Sequence, residues 1–293
     1  MNILSLNIRG LGVQRKAQWV RDIRLQQEVC FLMLQETQYS DYSSIDWGLS
    51  WGRGNFRVET VEASGRSGGL VSLWDASVFS VLDVKKSRNC LLVVGSVKGS
   101  GVFTYLLKVY APQTSVGKRL LWAEIKGLVG SGMRMWILAG DFNSVRNRDE
   151  WRSSKFSQSA ADEFNEFLEY TNLHEYTLKG RRFTFVSGNK MGRIDRVFVN
   201  WNFMMEWPNA EYRALGRDKS DHGPLILKVN LLNYGPKPFH FFNSWLDRVN
   251  FDGLVRKALE EGVFMGAPDV RLISKFRRLR HVIGEWKVTI FES

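Results

Sequence analysis

Cysteine and histidine are scarce in this sequence, whose 293 residues include two cysteines and four histidines. The cysteines, Cys30 and Cys90, lie in the apolar runs VCFLML and NCLLVV. Their spacing indicates neither a disulfide framework nor a zinc site, so both are interpreted as small core residues. A reducing, intracellular compartment is therefore expected.

Long hydrophobic runs are also missing. No stretch approaches the roughly 18 apolar residues that a membrane span requires. The opening segment, MNILSLNIRG, has no charged lead followed by a long apolar run. It is predicted to be a strand and not a signal peptide, and we expect no membrane association.

Basic residues exceed acidic ones along the whole chain, giving a formal net charge of +11. Residues 1–230 contain 31 Lys and Arg against 23 Asp and Glu, and residues 231–293 contain 10 against 7. Such an excess favours an anionic partner, of which nucleic acid is the commonest. A generally basic, soluble surface is the alternative interpretation.

Short apolar runs alternate with amphipathic segments over most of the chain. Periodicity predicts helices at 14–27, 116–129 and 159–171, the last capped by Ser159, and strands at 3–6, 29–34, 135–139, 183–186, 194–199 and 224–229. Between Phe56 and Tyr110, β-rich runs separated by turn-like clusters predict antiparallel hairpins. The pattern predicts an α/β (α+β) fold of two packed mixed β-sheets flanked by helices. Strand order does not follow from periodicity.

The composition changes after Leu231. Residues 233–238, NYGPKP, are predicted to form a linker, and helices are predicted at 251–261 and 270–286. The basic cluster between Lys275 and Arg280 is interpreted as a solvated helix face. We therefore expect one domain at 1–230 and a separate helical segment at 231–293.

Polar residues that could do chemistry follow or precede the apolar runs: Asn7, Glu36, Tyr110, Asp141, Asn143, Asp221 and His222. Asp195, within the segment RIDRVFV, is added to them. Strand ends present such groups into shared clefts. Carboxylate and amide oxygens are the ligands that Mg²⁺ prefers, and no Cys/His cluster competes for a softer metal. The set predicts a divalent-cation site.

Each segment taken alone has a simpler interpretation. Glu36 could be a solvated or capping residue, and Asp141 with Asn143 could form an Asx-turn. Asp221 with His222 could cap a helix, and Tyr110 could close a strand. The prediction therefore depends on the ordered set and not on any single segment.

Six segments in order, LNIRG, LQET, VYAP, GDFN, RIDRVFV and SDHGP, resemble the endonuclease/exonuclease/phosphatase superfamily of the exonuclease III/DNase I type. They span residues 2 to 229. The opening NILSLNIRGLG and the tail PFHFFNSWLDRVNF are most similar to the endonuclease domain of plant LINE-type non-LTR retrotransposon polyproteins. The resemblance implies a DNase I-like four-layer sandwich with a C-terminal helical extension. Since no reverse-transcriptase motif follows, we expect a truncated copy or a fragment.

The resemblance also implies roles for individual residues at a metal site. Glu36 is the main Mg²⁺ ligand, helped by Asn7, with Mn²⁺ as an alternative ion. Asp221 is a further metal-site or leaving-group carboxylate. Asp141 activates or orients the attacking water, and Asn143 holds Asp141 and a phosphate oxygen.

A second group is expected to act on the substrate phosphates. His222 contacts the scissile phosphate, and Asp195 fixes its tautomer. Tyr110 hydrogen-bonds the phosphate, and Thr184 matches a position that touches DNA near the cut. We also expect Arg9 and Arg193 to bind the substrate.

Two positions depart from the abasic-site endonucleases of this superfamily. Arg9 stands where those enzymes carry Asp, and Arg196 stands where they carry an aromatic residue. The first departure argues against abasic-site repair and agrees with the retrotransposon group. The basic segments 181–183 and 189–193 are interpreted either as loops that track a DNA backbone or as ordinary hairpin tips.

The sequence thus predicts a Mg²⁺-dependent phosphodiester hydrolase that nicks DNA through backbone contacts. A superfamily enzyme acting on RNA or phosphoinositides, or an inactive nucleic-acid-binding remnant, are the alternatives, because the shared catalytic set does not choose a substrate. A nuclear location follows from the resemblance only.

Overall fold

A computed structural model describes residues 1–64, 67–99, 103–129, 134–153, 155–229, 245–246, 248, 250–262 and 264–291. The chain divides into two compact units, Met1–Leu231 and Leu232–Ser293. The linker predicted at 233–238 lies outside the described residues.

The first unit contains five α-helices among its described residues: α1 (Gln14–Gln26), α2 (Gly48–Trp51), α3 (Ser115–Leu128), α4 (Gln158–Tyr170) and α5 (Trp201–Glu206). Its strands are β1 (Ile3–Asn7), β2 (Phe31–Gln35), β3 (Phe56–Ser64), β4 (Ser67–Asp75), β5 (Phe79–Lys86), β6 (Cys90–Val97), β7 (Phe103–Tyr110), β8 (Met135–Asp141), β9 (Trp151–Arg152), β10 (Leu173–His174), β11 (Leu178–Gly180), β12 (Phe185–Ser187), β13 (Lys190–Gly192), β14 (Asp195–Asn200), β15 (Glu211–Ala214) and β16 (Leu225–Lys228).

Two mixed sheets dominate this unit. One has the strand order β11-β15-β16-β1-β2-β4-β3, and the other β10-β14-β8-β7-β6-β5. Within them β1 runs parallel to β2 and β7 parallel to β8, while β16 and β14 run antiparallel to β1 and β8. The predicted architecture of two packed mixed sheets flanked by helices is confirmed. The hairpins predicted between Phe56 and Tyr110 also form, as the antiparallel pairs β3–β4, β5–β6 and β6–β7.

The apolar core occupies three layers. The inner faces of the two sheets meet through residues such as Phe31, Leu106 and Ile137. A second cluster lies under α3 and α4, and a third under α1 and α2. Because strand side chains alternate between faces, each sheet buries apolar side chains on both of its sides.

Helix α4 illustrates how the local sequence fixes one outer layer. Ala161, Phe164, Phe167 and Leu168 are buried along one face, at the spacing of an amphipathic helix. The predicted N-cap was wrong by two residues. Ser157, and not Ser159, stands at the cap, where its side chain accepts a hydrogen bond from the Ala160 amide.

The second unit contains α6 (Phe251–Glu260) and α7 (Pro268–Phe291). Trp245, Phe251 and Ile283 form its small apolar cluster. The basic side chains between Lys275 and Arg280 are exposed, as a solvated face predicts. Within the described part of the chain, no helix has the length and apolar character needed to span a bilayer.

The two cysteines are free thiols. Cys90 is buried and Cys30 is partly buried. Burial raises the pKa of both thiols, most of all that of Cys90, so neither is poised for nucleophilic chemistry.

Candidate active site

Strand direction brings the polar residues together at one edge of the two sheets. Asn7 ends β1, Glu36 follows the parallel strand β2, and Asp141 ends β8. Because β14 runs antiparallel to β8, its first residue, Asp195, pairs with Asp141. Tyr110 also pairs with Asp141, from the parallel strand β7. Residues far apart in sequence thus meet at the same strand ends.

Asn7 links two acidic residues. Its side chain is fully buried, and its Nδ2 donates to Glu36 Oε1 at 2.9 Å and to Asp141 Oδ2 at 3.0 Å. Its Oδ1 accepts from the Arg9 amide at 3.2 Å. One amide therefore holds the carboxylates of the first and second sheets within a few ångströms of each other.

Asp195 and His222 form a buried pair on the other side of Asp141. His222 Nδ1 lies 2.9 Å from each Asp195 carboxylate oxygen. Phe185 packs against the imidazole with ring centroids 4.9 Å apart. Because Nδ1 is engaged by Asp195, Nε2 is the ring nitrogen left to act on a substrate.

Asn143 fixes the position of Asp141 through hydrogen bonds. Its backbone amide donates to Asp141 Oδ1 at 2.9 Å, and its side-chain Nδ2 donates to the Ala111 carbonyl at 2.7 Å. Lys118 Nζ donates to the Asn143 carbonyl. The Asp141 carboxylate is thus fixed by donors on both of its oxygens.

Unusual backbone conformations cluster around these residues. Arg9, Glu36 and Asn143 all have positive φ, at 51°, 52° and 47°. Gly140 has φ 152°, and a Cβ there would stand 1.8 Å from the Val109 carbonyl oxygen, so no other residue fits. Conformations of this kind are costly and concentrate at functional sites.

Burial sets the protonation of the central carboxylate. Burial, and then the charge of Asp195, raise the pKa of Asp141 to about 7, against the opposing effects of His222 and of two hydrogen bonds. Burial acts to lower the pKa of His222, but Asp195 outweighs it, and the pKa of His222 rises to about 9. At neutral pH the site therefore pairs an imidazolium with a carboxylate poised to exchange a proton.

Tyr110 responds to the same charges. Burial, followed by the charge of Glu36 and a hydrogen bond to it, raises the pKa of the Tyr110 hydroxyl well above its usual range. The phenol therefore stays protonated and is a hydrogen-bond donor.

The donor chemistry fits a divalent cation. Glu36 and Asp141 share the Asn7 amide, so oxygen atoms of both sheets converge there. Asp141, Asp195 and His222 also form a buried group whose ligand atoms all lie within 4.8 Å of one another. The oxygen-rich side suits a hard ion such as Mg²⁺, and an added positive charge would offset the burial of Asp141.

Asp221 is placed differently from the other expected metal ligands. One of its carboxylate oxygens forms an ion pair with Arg9, whose side chain is about half exposed. The other, Oδ1, is buried without a hydrogen-bond partner among the described residues and lies 3.9 Å from His222 Nε2. Asp221 thus lies beside the imidazole, whereas Glu36 shares the Asn7 amide with Asp141.

Two residues expected to contact the substrate are engaged inside the protein. Thr184 is fully buried, and its hydroxyl accepts a hydrogen bond from the Asp195 amide at 3.0 Å. Arg193 forms ion pairs with Glu150 and Glu175, at 3.6 and 2.9 Å. In this conformation Thr184 supports Asp195 from within the fold, and the ion pairs hold Arg193.

Sequence reasoning missed two residues that the fold adds to the site. Ser220 donates to the Asn7 carbonyl at 2.8 Å and accepts from the His222 amide, so it ties the imidazole loop to β1. Lys118 faces Asp141 from α3, and burial lowers its pKa while Asp141 acts to raise it. The segment SDH carried a signal for Ser220, but a lysine on an amphipathic helix carried none.

The sequence model of the endonuclease/exonuclease/phosphatase family matches residues 4–222. No curated protein matches the sequence. Among solved structures, the AP endonuclease LMAP from Leishmania major is 14% identical with a TM-score of 0.62, over 77% of this chain and 86% of that one.

Two further structures give similar values. A 3′-5′ exonuclease from Neisseria meningitidis is 17% identical with a TM-score of 0.61, over 78% of this chain and 100% of that chain. The endonuclease domain of TRAS1, a telomere-specific non-LTR retrotransposon, is 17% identical with a TM-score of 0.59, over 78% of this chain and 98% of that chain. At these identities the likeness concerns the fold, and the predicted DNase I-like class is confirmed.

Proposed function

We propose that this chain, which belongs to the endonuclease/exonuclease/phosphatase family, is a divalent-metal-dependent phosphodiester hydrolase that nicks DNA. The observation that carries the proposal is the position of Asp141. This one buried carboxylate touches the Asn7–Glu36 group on one side and faces the Asp195–His222 pair on the other.

Asp141 is placed to activate water. With a pKa of about 7, it ionises near neutral pH, where a general base is most effective. Asn143 holds one carboxylate oxygen and Asn7 the other, so the direction of proton transfer is fixed before a substrate binds.

His222 is placed to stabilise charge on the phosphate. With a pKa of about 9 it is cationic at neutral pH, and Asp195 holds its Nδ1 so that Nε2–H is the free donor. A preorganised cationic donor in a buried site stabilises the developing negative charge of the transition state. Tyr110, kept protonated beside Glu36, supplies a second donor.

Glu36 and Asn7 would hold the cation, with Asp221 as the more distant candidate. The chemistry that a bound Mg²⁺ or Mn²⁺ would supply there is neutralisation of the substrate's negative charge. The remaining steps belong to the protein's own groups: Asp141 takes the proton of the water, and His222 binds the phosphate oxygen.

DNA is the proposed substrate because the chain is basic in both of its parts. The fold is similar both to AP endonucleases and to the TRAS1 endonuclease domain, so it does not choose between them. A retrotransposon-type nicking enzyme is proposed because Arg9 stands where the abasic-site endonucleases carry Asp. Action on chromosomal DNA would require a nuclear location.

The test is hydrolysis by the full chain of three substrates side by side: supercoiled plasmid, poly(A) and an inositol polyphosphate, each with Mg²⁺ and with EDTA. We expect Mg²⁺-dependent conversion of plasmid to the open circular form, and much slower turnover of the other two. If poly(A) or the inositol polyphosphate is hydrolysed and the plasmid is not nicked, that compound and not DNA would be the substrate. No turnover of any of the three by folded protein would refute the proposal.

A further inference from the structure

The turns that follow strands β1 and β8 have the same hydrogen-bond pattern. Asn7, the last residue of β1, accepts through Oδ1 from the backbone amide two residues later, at Arg9, with a donor–acceptor distance of 3.2 Å. Asp141, the last residue of β8, accepts through Oδ1 from the Asn143 amide at 2.9 Å. Both are Asx-turns. Each turn therefore fixes the direction of the side chain at its strand end.

The residue that closes each turn has a left-handed backbone. Arg9 has φ 51° and Asn143 has φ 47°. Asn adopts this conformation at little cost because its short polar side chain can bond locally, whereas the longer side chain of Arg gives no such compensation. The turns, and above all the one at Arg9, therefore need stabilising contacts from elsewhere in the fold.

A lysine from an outer helix contacts each turn. Lys16 of α1 donates from Nζ to the Arg9 carbonyl at 2.7 Å and to the Ile8 carbonyl at 2.9 Å. Lys118 of α3 donates from Nζ to the Asn143 carbonyl. Helix α1 packs on the sheet that contains β1, and α3 packs on the sheet that contains β8. The two sheets thus carry the same arrangement, although α1 follows β1 in the chain and α3 precedes β8.

We propose that Lys16 and Lys118 are positioning residues that hold these two turns closed, one in each sheet. Asn7 presents its Nδ2 to two carboxylates while the Arg9 amide engages its Oδ1. If that turn opens, the Asn7 amide is free to rotate and can turn its oxygen toward the same carboxylates. Asp141 likewise keeps a fixed direction for accepting a proton while its own turn is closed.

The effect of the two lysines on hydrolysis rests on the proposed function, whereas their effect on the turns does not. Amide hydrogen exchange, followed by NMR on the full chain in EDTA without substrate, measures the turns directly. Lys16→Met keeps the aliphatic stem and removes the ammonium. It should speed exchange at the Arg9 amide about tenfold and leave the Asn143 amide within about twofold of the wild type.

Lys118→Met should have the converse effect on the two amides. Arg15→Met removes a neighbouring exposed cation of α1 and serves as the matched control, so it should change neither rate. Unchanged exchange in both lysine variants, or equal acceleration of the two amides in each, would overturn the inference.

Hydrolysis then separates positioning from substrate binding. With saturating Mg²⁺, Lys16→Met and Lys118→Met should each lower kcat about tenfold, on plasmid and on the small diester bis(p-nitrophenyl) phosphate alike. KM and the affinity for a labelled DNA duplex, measured by anisotropy in EDTA, should stay within about twofold of those of Arg15→Met. Lys16→Arg should recover part of the loss, because a guanidinium can donate to the same carbonyls.

The opposite profile would assign these lysines to the substrate. Weaker duplex binding with a salt slope smaller by about one, and normal hydrolysis of the small diester, would mean a phosphate contact and would overturn the inference. If the wild type hydrolyses neither compound, the proposed function fails, and the exchange rates of the two amides alone decide whether the lysines hold the turns.

Discussion

Two buried charged clusters lie back to back on β14, and they differ in charge balance. Arg196 ion-pairs with Glu150 and Glu175, which also pair with Arg193, so two cations meet two anions. Its neighbour Asp195 points to the other face of the strand, toward Asp141, Glu36 and a single imidazole.

The protonation of the two clusters follows from that difference. Burial acts to lower the pKa of Arg196, but Glu175 and Glu150 outweigh it and raise the pKa. At Asp141 burial and a like charge act together, and the pKa rises to about 7. We infer that the balanced cluster of Arg193, Arg196, Glu150 and Glu175 stabilises the fold. The acidic cluster of Glu36, Asp141, Asp195 and His222 instead binds a cation and a substrate.

The largest effect should come from removing the charge of Asp141. Asp141→Asn keeps the size of the side chain but cannot take a proton, so plasmid nicking should fall about 10³-fold. Its melting temperature in EDTA at pH 8 should equal or exceed that of the wild type, because a buried charge is lost. A variant that nicks normally would remove Asp141 from the mechanism.

Breaking the balanced cluster should instead lower the stability of the fold. Arg196→Met leaves Glu150 and Glu175 with Arg193 alone, so we expect a loss of about 3 kcal/mol in the free energy of unfolding, measured with urea. The double variant Arg196→Met with Glu175→Gln should lose less than the single one, because one unpaired carboxylate is gone. A loss below about 1 kcal/mol would mean that the network contributes little to the fold.

Some members of these two clusters could be predicted from the sequence, and others could not. Asn7 and Asp141 could be placed because each stands at the end of an apolar run, and Asp195 because it lies within the predicted strand at 194–199. The pairing of Arg196 with Glu150 and Glu175 could not be predicted. The two glutamates lie on segments without an apolar pattern, and strand order does not follow from periodicity. The contact of Thr184 with DNA stays a prediction, whereas its burial and its hydrogen bond from the Asp195 amide depend on tertiary contacts that periodicity does not give.

The pH dependence of stability sharpens the contrast. The pKa of Asp141 is raised in the folded state to about 7. Its contribution to the free energy of unfolding is therefore present in full below the unfolded pKa of 3.8 and is lost as the pH rises to 7. The pKa of His222 is raised in the folded state to about 9. Its contribution to the free energy of unfolding is therefore complete below pH 6.5 and is lost as the pH rises through 9. The wild type in EDTA should therefore lose on the order of 6 kcal/mol of unfolding free energy between pH 5 and 9, because Asp141 contributes about two pH units of loss and His222 about two and a half, at about 1.36 kcal/mol per unit.

Urea unfolding at pH 5, 7 and 9 checks this loss against two variants. Asp141→Asn should remove the part below pH 7, and His222→Gln the part above it. A wild-type profile that both variants reproduce would assign the pH dependence to other groups.

Thermal melting in a Mg²⁺ titration at pH 8 tests most directly whether the acidic cluster is kept for a cation. We expect 10 mM Mg²⁺ to raise the melting temperature of the wild type by a few degrees, which corresponds to about 1.4 kcal/mol for a dissociation constant near 1 mM. The shift should fall by more than half in Asp141→Asn and persist in the matched exposed control Asp83→Asn. Equal shifts in all three proteins, or none in the wild type, would contradict the account.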